Sequence, residues 1–140
     1  MIFGVIVAGG VGSRLGADMP KQFLNLADRP IIIHTLDTFL KCPALEHIYL
    51  GVHPEWVDHM AELVSEYISP DGRERVHLVA GGAERNETIM NVIGQIEKDF
   101  GTEETHYIIT QDGVRPFVTR RLIEDHVKAV IEYDAVDTVI

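Results

Sequence analysis

The sequence is poor in cysteine and in basic residues, and both deficits narrow the class of protein. Its one cysteine, Cys42, cannot form an internal disulfide, so we expect a reducing cytoplasmic location and a small buried side chain there. Twelve Lys and Arg residues stand against 22 Asp and Glu residues, for a formal net charge of −10. Because nucleic acids and anionic membranes are bound mainly through clustered Lys and Arg, we expect neither as a partner.

Long apolar runs and metal-binding spacings are also missing. No segment approaches the ~18 consecutive apolar residues of a membrane-spanning helix, and no basic region precedes the apolar start, so we expect a protein that is not secreted. The seven histidines show no His-x-x-x-His spacing, which disfavours a zinc enzyme. What is present, 46% apolar residues over 140 positions, is enough for one globular domain.

Hydrophobic periodicity predicts strands that alternate with helices. The predicted strands are Ile2–Ala8, His47–Val52, Arg75–Ala80, His106–Thr110 and Ala135–Ile140. The predicted helices are Pro30–Lys41, Pro54–Ile68, the apolar face from Ile89 to Phe100, and a helix capped by Thr119 that buries Leu122, Ile123, Val127, Val130 and Ile131. Repeated strand–helix units imply an α/β fold with a mostly parallel, Rossmann-like sheet and helices on both faces.

A glycine-rich loop directly after the first predicted strand is the most informative segment. Gly9, Gly10 and Gly12 let backbone N–H groups approach an anion without obstruction by a Cβ atom. Arg14 and Lys21 bring two cations to the same loop, although the protein as a whole is acidic. We therefore expect a polyphosphate ligand.

The spacing of this loop excludes two common phosphate-binding motifs. A P-loop requires Ser or Thr after its lysine, whereas Gln22 follows Lys21. The dinucleotide pattern Gly-x-Gly-x-x-Gly begins at Gly10 and Gly12 but has Leu15 in place of its third glycine. Neither a P-loop NTPase nor a dehydrogenase is expected.

Two further polar segments follow predicted strands, and the carboxyl ends of parallel strands share one edge of a sheet. The segment 81–88 has two glycines and ends in Thr88; it either contacts a base or ribose, or forms only a turn and a helix cap. Asp112 precedes Gly113 and either binds a hard cation between phosphate oxygens or is a turn residue. We interpret the nearby Arg115 as a structural ion-pair partner.

These three segments together resemble the amino-terminal part of the cytidylyltransferase family that contains ribitol-5-phosphate and 2-C-methyl-D-erythritol 4-phosphate cytidylyltransferases. The motifs are Ala8-Gly9-Gly10-x-Gly12-x-Arg14 with Pro20-Lys21-Gln22, Gly81-Gly82-x-Glu84-Arg85 with Thr88, and Asp112-x-Val114-Arg115-Pro116-Phe117. The resemblance extends over the whole chain. It implies a nucleotidyltransferase sheet and a single nucleotide-binding domain over residues 1–140. The segment 114–117 looks closer to the ribitol-phosphate branch.

The resemblance implies transfer of CMP from CTP to a polyol phosphate with release of pyrophosphate. Arg14 and Lys21 would be catalytic, stabilising the pentacoordinate phosphorus and the leaving pyrophosphate, and Asp112 would also bind Mg²⁺. The residues implied to hold the nucleotide are Val7, Ala8, Gly9, Gly10, Gly12, Gly82, Ala83, Glu84, Arg85, Asn86, Thr88 and Asp112. The favoured product is CDP-ribitol for teichoic acid or capsule synthesis, and the alternative acceptor is methylerythritol phosphate of isoprenoid synthesis.

The sequence departs from the family pattern in two respects. Gln111 and Gly113 stand where members usually have His and then Ala or Ser, so a possible positive charge is lost at position 111. Relatives also continue beyond the position of Ile140, with an arm that pairs subunits and groups that hold the acceptor phosphate. We therefore expect a domain truncated at its C-terminal end, from a homodimer in the full-length protein. The alternative from another class is a nucleotide-binding fragment that lacks the acceptor site.

Overall fold

A computed structural model describes residues 1–8, 20–102, 106–113 and 119–133, which contain six strands and five α-helices. The strands are β1 (Ile2–Ala8), β2 (Asn25–Leu26), β3 (Arg29–Pro30), β4 (His47–Val52), β5 (Val76–Ala80) and β6 (Tyr107–Asp112). The helices are α1 (Ile31–Leu40), α2 (Val57–Tyr67), α3 (Pro70–Arg73), α4 (Arg85–Phe100) and α5 (Arg120–Tyr133). Two 3-10 turns, Lys21–Phe23 and Pro54–Trp56, complete the regular structure.

The main sheet has four parallel strands in the order β5-β4-β1-β6. The chain builds outward from β1 to β4 and β5, and then crosses to the other side of β1 to form β6. The strand order therefore reverses between β1 and β6. In open α/β sheets, ligands bind beyond the carboxyl ends of the strands at such a switch point.

The apolar side chains of the sheet divide between two faces, as the alternation of a strand requires. Phe3 and Tyr49 lie on the face covered by α4, where they belong to one buried cluster with Val92 and Ile96. The other face packs against α1, α2 and α5 and contains most of the buried apolar side chains. Helices on both faces confirm the predicted fold class.

Most element predictions are confirmed, with differences at the ends. The predicted helix over 54–68 starts as the 3-10 turn Pro54–Trp56, and the short helix α3 follows it in a part of the chain without a predicted strand or helix. β6 continues to Asp112, two residues beyond the predicted strand, because it stays paired with β1 up to Val7. Cys42 is fully buried, as expected. The predicted strand over 135–140 lies outside the described residues.

The buried face of the last helix is narrower than its sequence indicates. Thr119 caps this helix as predicted, since its Oγ1 accepts a hydrogen bond from the Leu122 N–H at 3.1 Å. The prediction that Leu122 and Ile131 are buried is wrong, because these side chains are 37% and 55% exposed. The buried stripe is Ile123, Val127 and Val130. Helical spacing places Leu122 and Ile131 at the sides of this stripe, where no described element covers them.

Titratable side chains cluster near the amino ends of the strands, away from the switch point. His47 Nδ1 and His77 Nε2 lie 3.0 Å apart, and the Tyr49 hydroxyl donates to Asp99 Oδ2 at 2.7 Å. The rings of Tyr49 and His77 stack with centroids 4.6 Å apart. Burial, followed by the nearby charge of His47, lowers the pKa of His77 below its ordinary value of 6.5. The folded protein therefore favours neutral His77.

This depressed pKa predicts that acid weakens the fold. Above the unfolded-state pKa of 6.5 His77 is neutral in both states; below it, the unfolded chain binds a proton that the folded chain resists, so the free energy of unfolding falls. Melting temperatures measured between about pH 5 and pH 8 should show this loss, and His77→Gln should reduce the slope. Equal slopes for wild type and variant would contradict the prediction.

Candidate functional site

The register of the sheet brings the strand ends that precede the three motif segments to one edge. Val7 of β1 lies opposite Asp112 of β6, and Ala8 lies opposite Val52 of β4. Val52 in turn lies opposite Ala80, the last residue of β5. β1, β5 and β6, which precede the glycine-rich loop, the segment 81–88 and the residues after Asp112, therefore end at the same level of the sheet. These strand ends agree with the expected convergence, and residues 9–19 and 114–118 themselves lie outside the described residues.

An ion pair bridges the switch point. Arg85, the first residue of α4, places its Nε atom 3.0 Å from Asp112 Oδ1. α4 lies directly on β4 near this end, since a Cβ atom at Gly51 would collide with the Thr88 side chain. The Arg85 and Asp112 side chains are 51% and 32% exposed. An exposed pair of this kind contributes about 0–1 kcal/mol, so a charged ligand can replace it at little cost.

The segment before α4 is held by side chains of that helix. The Thr88 hydroxyl accepts from the Gly82 N–H at 3.0 Å and donates to the Glu84 carbonyl at 3.1 Å. Glu87 Oε2 accepts from the Ala83 N–H at 3.1 Å. Thr88 thus stabilises the turn before α4 but does not cap the helix, which has no side-chain N-cap bond. A ligand that used the N–H groups of residues 82 and 83 would have to displace or share these bonds.

Glu87 and Gln22 are the contributors that sequence reasoning missed. Glu87 closes the turn by accepting the hydrogen bond of the Ala83 N–H. The sequence signal for this contact is the spacing of four residues between Ala83 and Glu87. Gln22 was quoted in a motif without a role; its side chain is 4% exposed, and its Nε2 donates to the Ala8 carbonyl at 3.2 Å. Lys21 lies beside it in a 3-10 turn and is partly exposed.

Part of the predicted site lies outside the described residues, namely Gly9, Gly10, Gly12 and Arg14. Of the other predicted nucleotide-binding residues, Val7 and Ala8 end β1 and are buried, whereas the side chains of 83–86 are exposed at the start of α4. The structure therefore places Lys21, Asp112 and the start of α4 around the carboxyl end of β1.

The metal assignment depends on Asp112. Within residues 1–8, 20–102, 106–113 and 119–133, no three His, Cys, Asp or Glu side chains converge on a possible metal position. Mg²⁺ is commonly bound by one or two carboxylates together with substrate phosphates. The partly exposed oxygen donors of Asp112, already paired with the cation of Arg85, fit that mode. No helix in the described part of the chain is long and apolar enough to cross a membrane.

The fold and the position of the site define a Rossmann-like α/β protein with a candidate ligand site at its switch point. Over residues 2–140, the sequence matches the family described as "IspD: 2-C-methyl-D-erythritol 4-phosphate cytidylyltransferase". The chain belongs to this cytidylyltransferase family, which confirms the resemblance found in the motifs.

Individual relatives agree with the family match. Ribitol-5-phosphate cytidylyltransferases of Lactiplantibacillus plantarum and Streptococcus pneumoniae serotype 2 are each 45% identical over 100% of this chain. The chain spans 59% and 60% of the lengths of these relatives. The crystal structure of 4-diphosphocytidyl-2C-methyl-D-erythritol synthase from Anaerococcus prevotii matches 99% of this chain and 57% of that one, with a TM-score of 0.69 and 20% identity. At this identity the structural match supports the fold alone.

Proposed function

We propose that the protein transfers the cytidylyl group of CTP to D-ribitol 5-phosphate, with CDP-ribitol and pyrophosphate as products. The observation that carries the reaction class is the contact at the switch point between two residues of separate family motifs, Arg85 and Asp112. The choice of acceptor rests on the 45% identity to ribitol-5-phosphate cytidylyltransferases. Methylerythritol phosphate is the second candidate acceptor, because the family match carries that name.

The chemistry of this reaction requires charge neutralisation more than proton transfer. A phosphate oxygen of the acceptor attacks the α-phosphorus of CTP, a new P–O bond forms, and the bond to the bridging oxygen of the β-phosphate breaks. The attacking oxygen is already anionic near neutral pH, so no general base is needed. The barrier arises from repulsion between anions, which positioned cations lower. Arg14 and Lys21 are the residues proposed for this role.

The proposed nucleotide contacts come from both sides of the switch point. The ends of β1 and the segment 82–88 would hold the nucleotide, and the exposed guanidinium of Arg85 is available to its phosphates. Asp112 would hold Mg²⁺, which when bound neutralises charge between phosphate oxygens. Arg85 can leave Asp112 without a large loss of stability, because the pair is exposed.

The same proposal extends to the domain organisation, the oligomeric state and the cellular location. We propose a single nucleotide-binding domain over residues 1–140 and a homodimer for the full-length protein. A cytoplasmic location agrees with the single cysteine, and CDP-ribitol would be used for teichoic acid or capsule polymers.

The direct test is pyrophosphate release by the full-length protein with CTP and Mg²⁺, comparing D-ribitol 5-phosphate with 2-C-methyl-D-erythritol 4-phosphate. We expect release with ribitol phosphate and a kcat/KM at least about 10-fold lower with the other acceptor, since polar groups built for one acceptor discriminate strongly. The reverse preference would support the methylerythritol branch. Thermal stabilisation by CTP without release from either acceptor would favour a nucleotide-binding module.

A further inference from the structure

Gln22 is one of the few polar side chains buried within the described part of the chain. Its side chain is 4% exposed, and its amide Nε2 donates to the carbonyl of Ala8 at 3.2 Å. Ala8 is the last residue of β1 and lies 14 positions earlier in the sequence. The bond therefore joins the two flanks of segment 9–19, which carries the glycine motif.

The partners of Gln22 are held in place by the rest of the fold. The Ala8 carbonyl also accepts the backbone N–H of His53 at 3.4 Å, so it is contacted both from the end of β4 and from the turn that carries Lys21. Phe23, 3% exposed, stacks on Trp56 with ring centroids 5.3 Å apart. The turn that carries Lys21 is thus held by a polar contact of Gln22 and by apolar packing of Phe23.

Lys21 is the exposed member of this anchored turn. The turn is closed by hydrogen bonds from the Phe23 N–H to the Pro20 carbonyl at 3.1 Å and from the Leu24 N–H to the Lys21 carbonyl at 3.0 Å. Pro20 is buried, while Lys21 remains partly exposed. Because Pro20 and Gln22, its two neighbours in the chain, are buried, the backbone of Lys21 has little freedom to move relative to β1.

We propose that Gln22 is a positioning residue for the transfer reaction, which holds the backbone of Lys21 at the carboxyl end of β1 through the Ala8 carbonyl. This inference rests on the proposed function. Phe23 packs against His59 of α2 and Trp56 of the 3-10 turn before α2, whereas Gln22 binds the strand that leads into the glycine-rich loop. A displacement of about 1 Å in a catalytic group can reduce the rate about 100-fold, so a single bond at this place affects catalysis.

The test compares Gln22→Leu with wild type in the full-length protein, by steady-state pyrophosphate release. Leucine fills the buried site with an apolar side chain of similar size, but it has no hydrogen-bond donor for the Ala8 carbonyl. We expect kcat to fall at least about 10-fold while the KM for CTP changes less than about 2-fold, because the cation is misplaced but the nucleotide contacts remain. Gln22→Glu, which replaces the donor by an acceptor, should show at least the same loss.

Tyr49→Phe is the matched control. It removes one hydrogen bond of a fully buried side chain, from the Tyr49 hydroxyl to Asp99, near the opposite end of the sheet. It should lower the melting temperature without changing kcat. The part of the tryptophan emission that Trp56→Phe removes reports whether Phe23 stays packed in the Gln22 variants, and we expect this part to match wild type.

The outcomes separate this inference from the proposed function. If wild type releases pyrophosphate and Gln22→Leu keeps its kcat, or loses no more than Tyr49→Phe, the positioning role is wrong and the function stands. A rise of the CTP KM in proportion to the fall in kcat/KM would also overturn it, by showing lost binding instead. If wild type releases no pyrophosphate with either acceptor, both proposals fail.

Discussion

Lys21→Ala should lower the rate of CTP-dependent pyrophosphate release by about 100- to 1,000-fold, the range expected when one charge-stabilising group is removed from a transition state. Charge builds up on the pentacoordinate phosphorus and on the leaving pyrophosphate during the reaction. The ground-state triphosphate keeps its other proposed contacts at β1 and at the segment 82–88. The loss should therefore be larger in kcat than in affinity for CTP.

The measurement combines steady-state kinetics of pyrophosphate release with calorimetric CTP binding. Lys41→Ala is a suitable control, because Lys41 is an exposed lysine that pairs with Asp37 at 3.1 Å directly after α1. It removes the same charge from the protein and should retain wild-type kcat. If Lys21→Ala were as active as wild type, Lys21 would have no catalytic role. A large loss of CTP affinity with unchanged kcat would make it a binding residue.

Asp112→Asn should lower the rate about 100-fold and raise the Mg²⁺ concentration needed for half-maximal activity. Asparagine keeps the size of the side chain and one oxygen, but it removes the negative charge that favours a hard cation. Charge neutralisation by a bound metal ion contributes several kcal/mol to such transition states, which corresponds to a rate factor of about 100 or more. Only the carboxylate is altered, so the paired backbone of β6 should remain intact.

Binding of Mn²⁺ in the presence of CTP, followed by electron paramagnetic resonance, provides a readout that does not depend on turnover. Arg85→Gln is the matched control, because it also removes the pair with Asp112 but leaves the carboxylate in place. At saturating CTP it should not raise the Mg²⁺ requirement, whereas its affinity for CTP should fall because Arg85 is a proposed phosphate contact. If Asp112→Asn bound Mn²⁺ as wild type does, the assignment of Asp112 to the metal would be wrong.

The contrast between these two residues and Gln22 shows what local pattern can and cannot indicate. Lys21 stands out in the sequence because two cations in one glycine-rich loop are unusual in themselves. Asp112 follows a predicted strand, where a lone aspartate is most often a turn residue, and its metal role is implied by the family resemblance. Gln22 lies in the same motif as Lys21, yet its function depends on the Ala8 carbonyl, which the sequence does not place beside it. The two residues meet because the chain returns to β1 after segment 9–19.

Secondary structure could be predicted from local sequence, whereas the burial of individual helix residues could not. A short run rich in β-forming residues predicted β4 to the residue, and the residue type of Thr119 predicted the capping of α5, because both depend on neighbours within a few positions. The same spacing placed Leu122 and Ile131 in the core, where the structure leaves them exposed. Which side of a helix stripe is covered depends on neighbouring elements, and periodicity within the helix carries no information about them.

The sequence by itself determined the α/β class and the glycine-rich loop with its two cations, because these follow from local order and spacing, and the resemblance of its motifs indicated the family that the comparison confirmed. Only the tertiary structure decided that Arg85 contacts Asp112, 27 residues later, and that Gln22 closes the flanks of the loop. Both contacts exist because β1 lies between β4 and β6, so that packing of the sheet brings distant segments to one edge.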